Sequence, residues 1–217
     1  MTLTDDTAII MMVYNYFVPG LVMHMRLLVH FRKNKRGQSF VELMVILLVL
    51  ALLLAGVVEF GFLMNYYLHV LDGAREAARY FANGVAIDEF GAPIMSFFQD
   101  TATHAENVMK PVILNSDNGD DIVISVFSVA GSDIARLPDE DGWSRYGNHV
   151  SNFTTAEVLS LLDVQAPPLG ILLVEIFYNY PQVLELPLFA DFLNPIPVFT
   201  YAAMPLSSAE PTPTPRP

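Results

Sequence analysis

From Leu43 to Val58 the chain runs sixteen residues without a charge or a strong helix breaker. At about 1.5 Å per residue this is about 24 Å of helix, short of a ~30 Å hydrocarbon core. Phe60 to Met64 continue the apolar character and supply the missing length. The stretch therefore predicts one transmembrane helix over roughly Phe40 to Met64. It also accounts for part of an overall composition that is 53% hydrophobic over 217 residues.

Charge is distributed unevenly around this segment. Residues 1–37 carry Arg26, Arg32, Lys33, Lys35 and Arg36 against Asp5 and Asp6, a balance of +3. Residues 38–217 carry a balance of −15. A basic head and an acidic body argue against nucleic-acid binding by the body. They place the head in the cytoplasm and the body outside the cytoplasmic membrane. The chain has no cysteine, which excludes disulfides, thiolate catalysis and zinc–thiolate sites.

A basic n-region followed by an apolar h-region also describes a secretory signal peptide. Here, however, the helical pattern continues through "EFGFLMNYYLHVLDGAREAARYFANG" without a small-residue cleavage site. Tyr66 and Tyr67 suit an interfacial aromatic belt. Ala74, Ala78 and Ala82 recur every fourth residue, as do Gly73 and Ala77, and such stripes allow close helix–helix approach. Asp72 with Arg75 and Glu76 with Arg79 are spaced as i,i+3 pairs on a solvated face. Asn83-Gly84 is a C-terminal stop. The expectation is one helix of about forty residues. The alternative is an anchor ending near Met64 and a separate short helix after it.

Two carboxylates lie in or beside the apolar run, where charge is costly. The first, Glu42, follows "RGQSFVE". A basic segment ending in Gly37, then Gln38, then Glu42 as fifth residue resembles a prepilin peptidase processing site. The longer stretch "RGQSFVELMVILLVLALLLAGVVEFGFLMNYYLHVLDGAREAARYFANG" resembles the TadE-like family, pseudopilins of the tight-adherence (Flp pilus) assembly and secretion system. The resemblance rests on Gly37-Gln38, Glu42, Glu59-Phe60-Gly61 and the run from Ala74 to Tyr80. It covers about fifty of 217 residues, and "GILLVEIFYNYP" is a looser match to the β-rich end of such proteins. The leader of 37 residues departs from the short basic leader usual in the family.

What the resemblance implies is cleavage between Gly37 and Gln38, and pairing of Glu42 with the new N-terminal amine of a neighbouring subunit. A buried charge is tolerated when paired and costly when alone, so the pair would act as a register device. The other reading leaves Glu42 at the cytoplasmic interface, reaching headgroups. Glu59, Gly61, Arg75 and Arg79 are candidate subunit contacts on the same resemblance. Glu59 otherwise reads as a boundary residue near the outer interface, and the two arginines as a solvated helix face.

The segment "AIIMMVYNYFVPGLVMHMRLLVHF" is apolar but interrupted by Asn15, Pro19-Gly20, His24 and Arg26. It is open between a first membrane segment, part of a long leader, and sequence upstream of a true start at Met25.

Beyond Gly84, Ile94, Phe97, Phe98, Thr101, Ala105, Val108 and Met109 share one side of a helix that begins near Pro93 and ends at Pro111. "DIVISVFSVA" alternates Ile122, Ile124 and Val126 as a strand entered from an Asn118-Gly119 turn. Gly131 to Asn152 is polar and reads as an exposed loop. Thr154 and Glu157 form a capping-box signature for a short helix. "GILLVEIFYNYP" and "PIPVFTYAAMPL" read as strands, and "SSAEPTPTPRP" as an extended, unpacked tail. The fold class is α+β: a long N-terminal transmembrane helix extending into a small pilin-like domain with three or four antiparallel strands and short helices. The divisions are 1–37 leader, 38–84 helix, 85–206 extracytoplasmic domain and 207–217 tail.

No enzyme signature is present. The five histidines form no i,i+3 or i,i+4 ligand pair, and HExxH, GxSxG, Walker and GxGxxG patterns are missing. "DEDGW" lacks the spaced ligands of an EF-hand and reads as an acidic turn. No cofactor or metal is expected. The expected function is a non-enzymatic pseudopilin or minor subunit, with a prepilin peptidase, related pilins or pseudopilins, a membrane assembly platform and the lipid bilayer as partners. The rival is an uncleaved, single-pass, membrane-anchored domain with a ligand-binding or structural role.

Overall fold

The computed structural model describes residues 35–130, 133–161, 169–184 and 195–210. The segment 8–31 lies outside them. The chain divides into two compact units between Gly56 and Val57.

Helix α1, Lys35–Phe81, is unbroken over 47 residues. No proline interrupts it, and its glycines each cost only about 1 kcal/mol of helix propensity. The separate short helix after Met64 is therefore not formed. In the first unit the large apolar residues from Phe40 to Leu50 are exposed. Among the described residues this is the one helix long and apolar enough to cross a membrane.

In the second unit the helix changes character. Val70, Gly73, Ala74, Ala77 and Ala78 are buried, spaced as one helical face. They meet α2, Met95–Val108, which turns Phe97, Phe98, Thr101, Ala102 and Ala105 inward. A Cβ at Gly73 would stand 3.0 Å from the Met109 Cβ and 3.2 Å from the Ala105 carbonyl oxygen. The small-residue stripe thus serves close packing inside the chain. Of the two predicted ion pairs, Glu76–Arg79 forms at 2.7 Å and Asp72–Arg75 does not.

The sheet is antiparallel. β1 (Asp121–Ala130), β2 (Asp133–Leu137), β3 (Trp143–Ser144), β4 (Leu169–Tyr180) and β5 (Ile196–Pro205) take the order β2-β1-β4-β5, with β3 also on β1. Ile122 faces Ile176, Ile124 faces Val174 and Val126 faces Leu172. Strand period two sends this even-numbered set to one face, where it packs with the α1 and α2 residues into the main core. Phe127, Val129 and Leu173 point to the other face. There α3, Thr155–Leu161, covers them with Val158 and Leu159. Its capping box is formed: the Glu157 amide donates to Thr154 Oγ1 at 3.2 Å, and the Thr154 amide donates to Glu157 Oε2 at 2.9 Å.

Three expectations are corrected. The polar stretch 131–152 contains β2 and β3, so the sheet has five strands. Ile134, Leu137 and Trp143 pack on the cores, and Arg136 and Ser144 bond to Ser125 and Asp121 of β1. The tail is not wholly unpacked: Ser207–Ala209 form a 3-10 turn and Ala209 is buried against Gly170, because Gly170 leaves room for the chain there. Residues 211–217 lie outside the description.

Candidate functional site

The residues singled out from sequence are strung along α1. Gly37 is exposed with nothing within 4 Å of a Cβ built on it. Gln38 follows within the helix, and Glu42 is exposed four residues beyond. Position 38 precedes Glu42 by about one helical turn.

Glu59 has a fuller setting than its neighbours. Its Oε1 accepts from the Tyr180 hydroxyl and the Val183 amide, and its Oε2 from the Leu184 amide, each at 2.8 Å. Tyr180 is itself buried at the end of β4. Tyr66, two turns past Glu59, meets the Tyr180 ring edge-on at 5.2 Å and stacks parallel to Tyr178 at 6.2 Å. Burial, and then the bond to Glu59, push the Tyr180 hydroxyl well above the ordinary phenol range. Burial pushes Tyr178 up to about 12, with Tyr66 and Asp120 adding to it. Glu59 thus joins α1 to the exit of the central strand, a contact that no local pattern announces.

Gly61 is exposed with open space around it. Arg75 is exposed on the helix. Arg79 grips Glu76 with Nε at 2.9 Å and Nη2 at 2.7 Å, and this pairing holds the Glu76 carboxyl below its usual range. Glu59 and Tyr180 come together in the fold; Gly61 and Arg75 are exposed elsewhere on the helix.

A second polar cluster was not foreseen. Asp121 is fully buried. Its Oδ1 accepts from the amides of Ile122 (2.8 Å) and Tyr146 (2.9 Å). Its Oδ2 accepts from Ser144 Oγ (2.5 Å) and the amides of Asn148 (2.8 Å) and His149 (2.9 Å). Nearby, buried Glu175 accepts from Ser151 Oγ and, at 2.9 Å, from the Asn152 amide. Burial raises its pKa, and those two bonds and Arg136 oppose the rise. The Arg136 guanidinium donates to Ser125 Oγ, the Glu140 carbonyl and the Phe153 carbonyl, and lies 5.2 Å from the Phe127 ring centre. These groups are hydrogen-bonded within their own chain and tie residues 140–153 to β1, β2 and β4. The acidic turn at "DEDGW" is part of this arrangement, with the Asp141 amide on Asp139 Oδ1 at 3.0 Å. The available signal was an acid at the start of β1 and one, Glu175, within the otherwise apolar first part of β4.

Residues 37–79 match the family model described as TadE-like protein. The matched stretch begins at Gly37, ends at Arg79, and contains Gln38, Glu42, Glu59, Gly61 and Arg75. The sheet lies outside it. No curated protein and no solved structure matches the chain.

Proposed function

With residues 37–79 similar to the TadE-like family, we propose that the chain is a non-enzymatic pseudopilin or minor subunit of a tight-adherence pilus or related secretion apparatus. The basic segment stays in the cytoplasm, a prepilin peptidase cuts after Gly37, and α1 anchors the acidic domain outside the cytoplasmic membrane. Related pilins and a membrane platform are its partners.

The observation that carries this reading is the coincidence of three boundaries. The family match starts at Gly37, the charge changes sign there, and the exposed apolar helix follows directly. Gly37 also weakens the helix by about 1 kcal/mol relative to alanine, which eases opening of the backbone for cleavage. Cutting there would create an amine on Gln38 one helical turn from Glu42. In hydrocarbon each of these charges is costly alone and tolerated in a pair. Pairing across neighbouring subunits would therefore set the axial register of assembly.

The test is the N-terminus of the membrane-associated protein by mass spectrometry, expressed with and without its own prepilin peptidase. A peptidase-dependent start at Gln38 is expected. An intact leader under both conditions would replace this reading with an uncleaved, signal-anchored domain.

A further inference from the structure

Glu59 is a carboxylate within an apolar run. Around it Val57, Val58, Phe60, Phe62 and Met64 are all exposed, at 68%, 42%, 60%, 40% and 42%. A ~30 Å hydrocarbon core takes about 20 helical residues, which from Leu43 reaches Phe62 and passes Glu59. At that depth a carboxylate needs donors supplied by protein.

Three are supplied, all from the end of β4 and the segment after it: Tyr180 Oη, Val183 N and Leu184 N. The same bonds take up two of the segment's backbone amides. Irregular backbone tolerates hydrocarbon only where its polar groups are paired. Pro181 has no amide hydrogen, Gln182 is buried, and the next two amides are taken by Glu59. The side chains carried by those two amides are apolar and outward: Val183 is 48% exposed and Leu184 39%.

We propose that residues 181–184 are a lipid-contacting element, seated by Glu59 so that Val183 and Leu184 enter the same bilayer that covers Phe60 and Phe62. The proposal rests on α1 being a membrane span. Glu59 is a positioning residue in it, acting through the backbone of the segment. A lipid occupant follows from continuity: the amides of both residues are bonded to Glu59, which sets their exposed apolar side chains at the level of the exposed apolar residues Val58, Phe60 and Phe62 of α1.

The test uses the full chain in phosphatidylcholine vesicles with and without acyl-chain-brominated lipid. Trp143→Phe removes the native indole, and one tryptophan is then placed at a time. Leu54→Trp reports the span, Val183→Trp the proposed contact, and Phe90→Trp an exposed site beyond the end of α1. The expected result is loss of most emission for Leu54→Trp and Val183→Trp, and little for Phe90→Trp. Emission retained by Val183→Trp while Leu54→Trp is quenched would overturn the proposal and leave the span intact. Emission retained by both would remove the span and the proposal with it. Equal quenching of Phe90→Trp would mean that the whole domain lies on the membrane, which also overturns it. Adding Glu59→Gln to Val183→Trp should weaken quenching, because one amide oxygen cannot accept all three donors. Unchanged quenching would refute the seating role.

Discussion

Replacing Asp121 with asparagine should cost this protein a large share of its stability without touching its membrane helix. The carboxylate serves five donors from residues 122 to 149. Asparagine keeps one oxygen and turns an NH2 group on the other side. Facing that group toward Ile122 and Tyr146 loses the smaller number of bonds, namely two. Hydrogen bonds to a charged acceptor are worth about 1.5–3 kcal/mol each, so the bare sum is about 3–6 kcal/mol. At the lower end of that range the expected loss is about 3 kcal/mol. Against a typical total of about 5–15 kcal/mol this is severe. The assay is urea unfolding of the full chain in detergent, read from Trp143. That residue is the single tryptophan, packs on Phe98, and adjoins Ser144 of the cluster. The midpoint should fall with the slope unchanged. A loss below about 1 kcal/mol would show that the loop donors are satisfied equally well by water and that Asp121 does not organise β3.

Four further outcomes are expected. Burial raises the Glu175 pKa above 4.5, so its contribution to stability is present below the unfolded value and is lost as pH rises through the folded one. A Glu175→Gln variant should lack that part of the decline in a melting series across pH, and identical profiles would exclude it. Gly170→Ala would drive a Cβ into the Leu206 carbonyl oxygen and set it 2.8 Å from the Ala209 carbonyl carbon; it should cost about 3 kcal/mol by overpacking, measured by the same unfolding assay. Thr154→Ala should remove the capping box of α3 and about 1 kcal/mol of local stability, seen as faster amide exchange at residues 157–160 with global unfolding little changed. Glu42→Ala should leave a folded, membrane-inserted protein that no longer co-purifies with its assembly partners, and normal association would remove the register role proposed for Glu42.

Elements whose signal is local were legible. The apolar run, the period of α1 past Met64, the Thr154–Glu157 box and the alternation of β4 each depend on residues a few positions apart, and helix and strand periodicity is set at that range. The small-residue stripe was legible as a close-approach surface, but its partner was not: nothing in "GAREAA" specifies that Met109 and Ala105 fill it. β2 and β3 were hidden because they are short and their polar residues Arg136 and Ser144 find partners, Ser125 and Asp121, on β1.

The sequence by itself determined that one long apolar helix carries an acidic α+β domain, and that Gly37 and Glu42 stand at a junction of charge and hydrocarbon. These are consequences of composition and period, which need no knowledge of distant contacts. Only the tertiary structure decided what Glu59 meets. Its donors come from residues 121, 124 and 125 positions away. Which hydroxyl and which amides reach a carboxylate across that separation depends on sheet register and helix packing, and those are set by the whole core at once.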